Sequence, residues 1–297
     1  MGDGEEKIMS ELDLHLLRYG EIGIKSANIR KHFEDILIQN MENTFLDRGE
    51  ELVIEKKDMG RIFAYTQAEN SYLFSRTFGL VSFSPAKRSD SDISKLQIEG
   101  KKFSRSISGT FAVRARRVGE HDFDSQDVED MVGEAILEED PDLEVDLDAP
   151  ENEFHIEIRH SDAYVFTEII DAPGGLPVGS QGKIAAYVED ERDFLAAWLI
   201  MRRGARLYII CEDQELLERL RKWDVSIKEI RSESTADLSS IDFPEKAQAL
   251  VVGETISDRS KIDTDLMVLR PLIGFTEDRI EDMLSRIERL EWEPDTL

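Results

Sequence analysis

The alternation of apolar and polar residues near the start of the chain predicts a strand followed by a long helix. Residues 12–16 alternate as a half-buried strand does, and the run ends at Tyr19-Gly20. Ser26 stands where a helix N-cap is expected, and the helix is predicted to continue to about residue 46. Apolar side chains recur on one face of that helix: Ile29, Phe33, Ile36, Leu37, Met41 and Phe45.

Two further segments complete a predicted N-terminal domain. Residues 52–57 and 61–66 flank Met59-Gly60 and predict a β-hairpin. Residues 71–78 predict a helix that ends at Gly79. A strand, a helix and a hairpin in this order form half of a ferredoxin-like layer, so we predict a ferredoxin-like domain over residues 8–80.

The middle of the chain predicts a small α/β domain over residues 81–171. Residues 111–116 predict a strand with one apolar face and one face that carries Arg114 and Arg116. Ser125 is expected to cap the helix that follows. Three more strands are predicted, at residues 144–148, 154–159 and 164–169.

The last part of the chain predicts a doubly wound, mostly parallel, Rossmann-like sheet. Turn-forming residues cluster after residue 171, which predicts a linker over residues 172–182. Over residues 183–297, apolar runs alternate with helical patterns, as expected of βαβ units. The predicted strands are 184–188, 207–211, 225–230, 249–252 and 267–269, and helices are predicted at about 192–203, 214–223 and 276–290.

The loop between the first strand and the first helix of this domain is unusually acidic. Helix N-termini in strand–loop–helix units bind phosphate through their free N–H groups and their dipole. Nucleotide enzymes place a small, glycine-containing loop there, whereas this chain carries carboxylates that disfavour a second polyanion. The segment is Glu189, Asp190, Glu191, Arg192, Asp193 and Phe194. The sequence thus predicts the architecture of a nucleotide site without its chemistry.

Charge is unevenly distributed along the chain. The net charge of −27 taken alone argues against binding nucleic acid. Residues 120–158 nevertheless hold 17 acidic residues and no Lys or Arg, while residues 101–119 hold six basic residues and no acid. The basic segment either faces RNA or pairs with its acidic neighbours, with Arg114 and Arg116 bonded to Glu157 or to other acids across the sheet.

Composition excludes several other classes of protein. No apolar run is long enough to span a bilayer. The acidic start, residues 1–6, is unlike a signal peptide, so we expect a cytoplasmic protein without a membrane partner. Cys211 is the single cysteine and is expected to be a small buried residue. The five histidines lack metal-ligand spacing, and the acidic loop is expected to be solvated rather than bound to Mg²⁺. We therefore predict no metal site.

Motifs spread along the chain resemble the tRNA 4-thiouridine synthetase (tRNA sulfurtransferase) family. Residues 19–25, Tyr-Gly-Glu-Ile-Gly-Ile-Lys, resemble the start of its ferredoxin-like domain. The segments that resemble its THUMP domain are 110–117, 145–147, 157–159 and 174–179, and those that resemble its PP-loop domain are 182–183, 196–199, 251–254 and 269–274. The resemblance implies RNA binding by the THUMP domain, at the acceptor end of tRNA.

This resemblance makes the basic residues candidates for tRNA contacts. Guanidinium groups bind phosphate oxygens and can do so without reading bases. Arg114, Arg116 and Arg117 are the first candidates. The supporting candidates are Lys101, Lys102 and Arg105, together with Lys25, Arg30 and Lys31 at the start of the first helix.

The chain departs from the family where its chemistry is carried out. The family's ATP loop, Ser-Gly-Gly-x-Asp-Ser, has no serine or glycine counterpart in residues 189–194, and we expect the family's persulfide cysteines to be missing. We therefore expect a tRNA-binding accessory protein without catalytic residues or cofactors, acting beside a separate modifying enzyme. The resemblance also suggests a homodimer. Two alternatives stay open: an active sulfurtransferase that uses ATP and Mg²⁺, and a protein-interaction subunit that does not bind RNA.

Overall fold

A computed structural model describes residues 9–58, 60–230 and 247–292. The chain divides into two compact units, one of Met1–Leu16 with Ser84–Ile170 and one of Leu17–Phe83 with Asp171–Leu297. Some predictions concern residues outside these ranges. They are those for the acidic start, for Met59 of the hairpin turn and for the outer ends of the first and last domains.

The N-terminal elements follow the predicted order. They are β1 (Asp13–Tyr19), α1 (Ala27–Arg48), β2 (Val53–Asp58), β3 (Arg61–Thr66), a 3-10 helix (Ala68–Arg76) and β4 (Leu80–Pro85). β2 and β3 form the predicted antiparallel hairpin. The helix expected at residues 71–78 is instead this 3-10 helix, whose Phe74 packs against Phe45 and Phe83. The packing of the Phe74 ring holds this segment in place, whereas the sequence suggested an amphipathic helix.

β1 is a fully buried central strand and not the half-buried strand that its alternation predicted. It lies between β4 and β3, and Leu14, His15, Leu16 and Leu17 are buried. Burial lowers the pKa of His15, and its Nδ1 lies 3.0 Å from the Asp13 carbonyl oxygen.

The middle elements form a second sheet covered by two helices. They are β5 (Lys87–Asp90), α2 (Ile93–Ser104), β6 (Thr110–Val118), α3 (Ser125–Glu139), β7 (Glu144–Val145), β8 (Asn152–Arg159), β9 (Asp162–Phe166) and β10 (Ile170–Asp171). The sheet has the order β5-β9-β8-β6-β7, while β10 joins the first sheet, β10-β4-β1-β3-β2. Phe111 and Val113 of β6 share one core with Leu96, Phe103, Val128 and Val132 of the helices.

The N-cap of α3 is Asp124 and not the predicted Ser125. The Asp124 carboxylate accepts a hydrogen bond from the Asp127 N–H at 2.9 Å, and the Asp127 carboxylate accepts from the Asp124 N–H at 2.8 Å. This reciprocal pair is a capping box in which Asp127 replaces the usual Glu. The cap therefore lies one residue before the serine.

The segment over residues 172–182, predicted as a linker, is packed and hydrogen-bonded along its length. Its first half bonds to β4, where the Gly174 N–H donates to the Leu80 carbonyl at 2.6 Å. Its second half bonds to the Rossmann-like domain, where the Leu176 N–H donates to the Arg202 carbonyl at 2.9 Å. Residues 172–178 are all buried. Such a segment is a fixed connection, because swinging it outward would break these bonds.

The third domain is the predicted parallel sheet. Its elements are β11 (Lys183–Tyr187), α4 (Glu191–Arg202), β12 (Arg206–Ile210), α5 (Gln214–Arg221), β13 (Lys228–Glu229), β14 (Ala249–Val251), β15 (Met267–Leu269) and α6 (Glu277–Arg289). Each neighbouring pair in the order β13-β12-β11-β14-β15 is parallel. The carboxyl ends of β11 and β14 therefore meet at one edge, where ligands of such folds bind.

Candidate functional sites

The three arginines of β6 differ in how strongly the protein itself engages them. Arg114 Nε donates to Glu153 at 2.9 Å and Arg114 Nη2 donates to the Leu147 carbonyl at 2.7 Å. Arg117 has only a 3.3 Å bond to the Gly119 carbonyl. Arg116 is exposed and has no ion pair among the described residues. Glu157, one of the acids considered as a partner, is buried and bonded to Arg159 at 2.7 Å. Among the described residues, Arg116 is therefore the exposed arginine of this strand that has no carboxylate partner.

The three supporting candidates of the middle domain, Lys101, Lys102 and Arg105, are paired with acids. Lys101 lies 3.2 Å from Glu138, and Lys102 lies 2.8 Å from Glu99. Arg105 donates from Nε and Nη2 to Glu139. These residues belong to or follow α2, on the Phe111 side of β6, whereas Arg114 and Arg116 point to the opposite face. The structure thus separates two groups that the sequence placed in one basic segment.

Lys25, Arg30 and Lys31 lie at the start of α1 and belong to the other compact unit. Lys25 and Arg30 are half-buried, and Lys31 is exposed. Within the described part of the chain, these three side chains form no ion pair with a carboxylate. They are available to bind an anion from solution.

The acidic loop places its own carboxylate on the N-terminus of α4. Asp190 is the N-cap, and its Oδ1 accepts from the Arg192 N–H at 2.9 Å and the Asp193 N–H at 3.0 Å. In strand–loop–helix units these are the N–H groups that bind phosphate. An aspartate carboxylate already satisfies them here.

Asp193 occupies the space between the two strand ends. Its Oδ1 accepts from the Gly253 N–H at 2.6 Å, and its Oδ2 accepts from the Glu189 N–H at 3.1 Å. Gly253 follows β14 and packs on the helix start so closely that an added Cβ would lie 2.5 Å from the Asp193 nitrogen. Burial, together with the neighbouring charges of Asp190 and Glu189, raises the pKa of Asp193 to about 6.

Arg192 closes the same edge of the sheet from outside. It donates to Asp258, in the loop after β14, at 2.7 Å, and to Glu277, in the first turn of α6, at 2.6 Å. Arg270, directly after β15, donates to two residues of that loop: to Glu254 at 2.6 Å and to the Ser260 carbonyl at 3.0 Å. The cavity that remains measures about 260 Å³ and is bordered by Glu189, Asp190, Asp193, Glu254 and Asp258.

This cavity does not fit a triphosphate. The helix amides are occupied, five carboxylates border the space, and the arginine is bonded to two acids. In the described ranges no three His, Cys, Asp or Glu side chains come together in a way that could hold a metal ion. Glu191 faces away and pairs with Arg219, and Phe194 is buried in the core.

Sequence reasoning missed the residues that close the site, namely Gly253, Asp258, Arg270 and Glu277. Gly253, Glu254 and Arg270 lie in segments chosen for their resemblance, but nothing in the pattern indicated that they contact the acidic loop. Cys211, just after β12, is buried as expected, and its Sγ donates to the Asp213 carbonyl.

The buried charge of Asp193 predicts a pH-dependent stability difference between the wild type and Asp193→Asn. Its pKa rises on folding from 3.8 to about 6, so the native state binds the proton more tightly, and ionisation costs stability as pH rises through this window. The full rise in pKa corresponds to a loss of at most about 3 kcal/mol in the free energy of unfolding. Solvent screening should reduce this loss to about 1–2 kcal/mol. Denaturant unfolding measured between about pH 4.5 and 7.5 should show that the stability of the variant relative to the wild type increases as pH rises.

The matched control for this prediction is Asp92→Asn. Asp92 is the exposed N-cap of α2, and its hydrogen bond with Ser94 lowers its pKa. Because the Asp92 carboxyl is ionised in both the native and the unfolded state over this pH range, the stability difference between Asp92→Asn and the wild type should not change with pH. A pH-independent difference for Asp193→Asn would contradict the buried, charged environment described here.

Comparisons with known proteins identify the first two domains. The family model of the ThiI ferredoxin-like domain matches residues 14–84, and that of the THUMP domain matches residues 96–168. A tRNA sulfurtransferase of Pyrobaculum aerophilum is 31% identical over 327 residues, which is 93% of this chain and 67% of the relative. The chain belongs to the tRNA sulfurtransferase family. The resemblance seen in the sequence is thereby confirmed.

Solved structures confirm the fold over nearly the whole chain. PH1313 of Pyrococcus horikoshii is 28% identical and superposes with a TM-score of 0.81, covering 93% of this chain and 99% of PH1313. A 4-thiouridine synthetase solved in complex with RNA and bound ATP is 22% identical, with a TM-score of 0.71, covering 95% of this chain and 87% of that one. At that identity the likeness establishes the shared fold. In the described part of the chain no helix is long and apolar enough to cross a membrane.

Proposed function

We propose that this family member binds tRNA through its THUMP domain and carries out neither adenylation nor sulfur transfer at its own PP-loop-type site. One observation carries the second half of the proposal. The Asp190 carboxylate accepts hydrogen bonds from the backbone N–H groups at the start of α4, and the Asp193 carboxylate accepts one from the N–H group after β14. In the family these loop amides are expected to hold the pyrophosphate of ATP. An incoming phosphate would have to displace both carboxylates.

Electrostatics argue against that displacement. Removing Asp190 from the helix N-terminus forfeits an N-cap, which costs about 0.5–2 kcal/mol. The released carboxylate would then stand beside a triphosphate, with Glu189 and Asp258 also close to the cavity. Charge repulsion in a partly desolvated space is stronger than in bulk water. We infer that neither ATP nor Mg²⁺ is a cofactor of this chain.

RNA binding is supported by the THUMP match and by the free cations of the fold. Arg116 is exposed, and within the described ranges neither it nor Lys25, Arg30 or Lys31 forms an ion pair with a carboxylate. The surface ion pairs of Lys101, Lys102 and Arg105 are weak, typically at most about 1 kcal/mol, and can be exchanged for phosphate contacts. Because the whole chain carries −27, binding must be local and steeply dependent on salt.

The RNA half is tested by measuring tRNA affinity across a salt series. Replacing Arg116 with Ala should reduce the slope of log K against log salt by about one, and replacing Arg114, Arg116 and Arg117 together should reduce it further. Arg289→Ala, in the third domain and paired with Glu291, is the charge-matched control and should leave the slope unchanged. An unchanged slope in a folded triple variant would rule out this strand as the RNA surface.

The nucleotide half is tested by calorimetric titration with MgATP up to about 1 mM. A dissociation constant of about 1 mM corresponds to a binding free energy of about −4 kcal/mol, so any tighter binding would be detected. We expect no binding. The double variant Asp190→Ser with Asp193→Gly removes both carboxylates from these amides and should gain measurable phosphate affinity. Wild-type ATP binding together with thiolation of tRNA would establish the active sulfurtransferase instead.

The remaining aspects of the proposal concern partners. We propose the acceptor end of tRNA as the RNA target, a separate enzyme as the catalyst and a homodimer as the assembly, all by analogy with the family. If tRNA affinity is absent while a stable complex with another protein forms, the interaction-subunit alternative replaces the RNA-binding proposal.

A further inference from the structure

Two arginines on one face of β6 meet the glutamates of the neighbouring strand β8 differently. Residues directly opposite each other in a sheet lie about 5 Å apart, and diagonal neighbours lie about 7–8 Å apart. Glu157 lies directly opposite Arg116 in the register. Glu153 lies opposite Ala112, so it is only a diagonal neighbour of Arg114. Yet the diagonal pair forms, with Arg114 Nε 2.9 Å from Glu153, while Arg116 beside its nearer acid has no ion pair among the described residues.

A third arginine, on β8 itself, accounts for this difference. Arg159 stands two residues after Glu157 and so lies on the same face of the strand. Its Nε donates to the Glu157 carboxylate at 2.7 Å, and both residues are only 3% exposed. The corresponding neighbour of Glu153 is His155, whose Nε2 lies 3.2 Å from that carboxylate. Arginine always carries its charge, whereas an ordinary histidine is largely neutral at pH 7, so Glu153 still attracts Arg114.

We propose that Arg159 is a positioning residue for RNA binding, because it holds Glu157 and thereby leaves Arg116 available to a phosphate. The inference rests on the RNA-binding role of β6 proposed above, and all three residues belong to one compact unit. A buried carboxylate requires a compensating cation, and without Arg159 the cation directly opposite on β6 is Arg116. An arginine bonded to a desolvated carboxylate must break that bond before it can bind RNA, whereas an arginine that faces water need not.

The first test measures the tRNA affinity of full-length Arg159→Met across a salt series. Although Arg159 is buried, its loss should lower the affinity about tenfold at low salt and reduce the slope of log K against log salt by about one, as Arg116→Ala does. Adding Arg159→Met to Arg116→Ala should change neither quantity further, because both variants remove the same phosphate contact. A purely structural role of Arg159 would instead lower the affinity equally in both backgrounds.

A compensating variant separates the charge of Glu157 from the stability of the fold. Arg159→Met combined with Glu157→Gln removes the carboxylate that would capture Arg116, so the salt slope should return to the wild-type value. Arg221→Met is the matched control, because it opens a surface pair with Glu218 in the other compact unit and should leave the slope unchanged. Circular dichroism verifies that each variant is folded.

The converse variant tests the same principle without removing a buried cation. His155→Arg gives Glu153 the arginine neighbour that Glu157 already has, and it should release Arg114 from the Glu153 carboxylate. The salt slope of tRNA binding should then become steeper by about one. In an Arg114→Ala background the same change should have no effect, which excludes a phosphate contact by the substituted side chain.

The outcomes distinguish this inference from the function on which it rests. If Arg116→Ala flattens the slope while a folded Arg159→Met variant does not, β6 binds RNA but Arg159 is not a positioning residue. If Arg116→Ala itself leaves the slope unchanged, the RNA surface proposed for β6 is wrong and the inference fails with it. If Arg159→Met does not fold, His155→Arg decides: an unchanged slope overturns the inference and a steeper slope supports it.

Discussion

Replacing Arg206 with Met should lower the free energy of unfolding by about 3–5 kcal/mol, the usual effect of removing one partner of a buried ion pair. Arg206 Nε lies 3.4 Å from the carboxylate of Asp224, which is only 6% exposed. This contact is an ion pair without hydrogen-bond geometry, since neither atom has a hydrogen-bond partner in the described part of the chain. Burial raises the pKa of Asp224, and Arg206 is the main influence that opposes the rise.

Arg206 also connects two parts of its unit. Its Nη2 donates to Asn40 Oδ1 in α1 at 2.9 Å, and Asn40 in turn donates to the Val178 carbonyl at 2.9 Å. Methionine retains the volume of the aliphatic stem but leaves Asp224 with a buried, uncompensated charge. Denaturant unfolding at about pH 7.5 measures the loss, which should shrink at lower pH as Asp224 is protonated.

Two further variants decide whether the charge causes the Arg206 effect. Arg221→Met makes the same chemical change at a surface pair with Glu218 and should cost at most about 1 kcal/mol. The double variant Arg206→Met with Asp224→Leu should recover part of the loss, because no charge is then left buried. A cost below about 1 kcal/mol for Arg206→Met would show that the pair contributes little.

Replacing Gly175 with Ala should cost about 3 kcal/mol, because a methyl group must both enter occupied space and hold a left-handed backbone. The φ angle of Gly175 is +74°, and an added Cβ would lie 2.2 Å from the Arg202 carbonyl oxygen. That carbonyl accepts the Leu176 N–H bond that attaches residues 172–182 to the third domain. Thermal unfolding compared with the wild type measures the cost.

Gly274→Ala provides the matched control within the same unit. Its φ lies outside the left-handed region, and an added Cβ would meet nothing within 4 Å. Alanine there should be neutral or slightly stabilising, by at most about 1 kcal/mol. If both alanine variants behave alike, the close approach of Gly175 to Arg202 is not a constraint on the fold.

The fold could be predicted from the sequence wherever one local pattern determined the answer. The periodicity of Phe33, Leu37, Met41 and Phe45 predicts α1, and all four are buried. Alternating apolar runs and helices predict the parallel sheet, because such a sheet needs crossover helices. Ile29 has the spacing of the same stripe but is 48% exposed, since it lies in the first turn of α1, before the first buried position.

The candidate sites could be predicted only as residue types. The basic segment made Arg114 and Arg116 equal candidates and could not distinguish them, because the two share one strand face and differ only in the neighbour each one reaches. Glu153 lies 39 positions from Arg114, and sequence spacing does not report which acid a long side chain meets. Among the acids that the sequence offered as partners, Glu157 is instead bonded within β8, by Arg159.

The sequence by itself determined the family, the fold class and the absence of glycine from residues 189–194, because motifs, hydrophobic periodicity and residue identity are local properties of the chain. Only the tertiary structure decided what replaced that loop. Asp193 and Gly253 are 60 positions apart, yet their 2.6 Å hydrogen bond fills the space between two strand ends. Arg192 reaches 85 positions ahead to Glu277. Such contacts follow from the parallel order of β11 and β14, which brings distant loops to one edge of the sheet, and no local pattern encodes them.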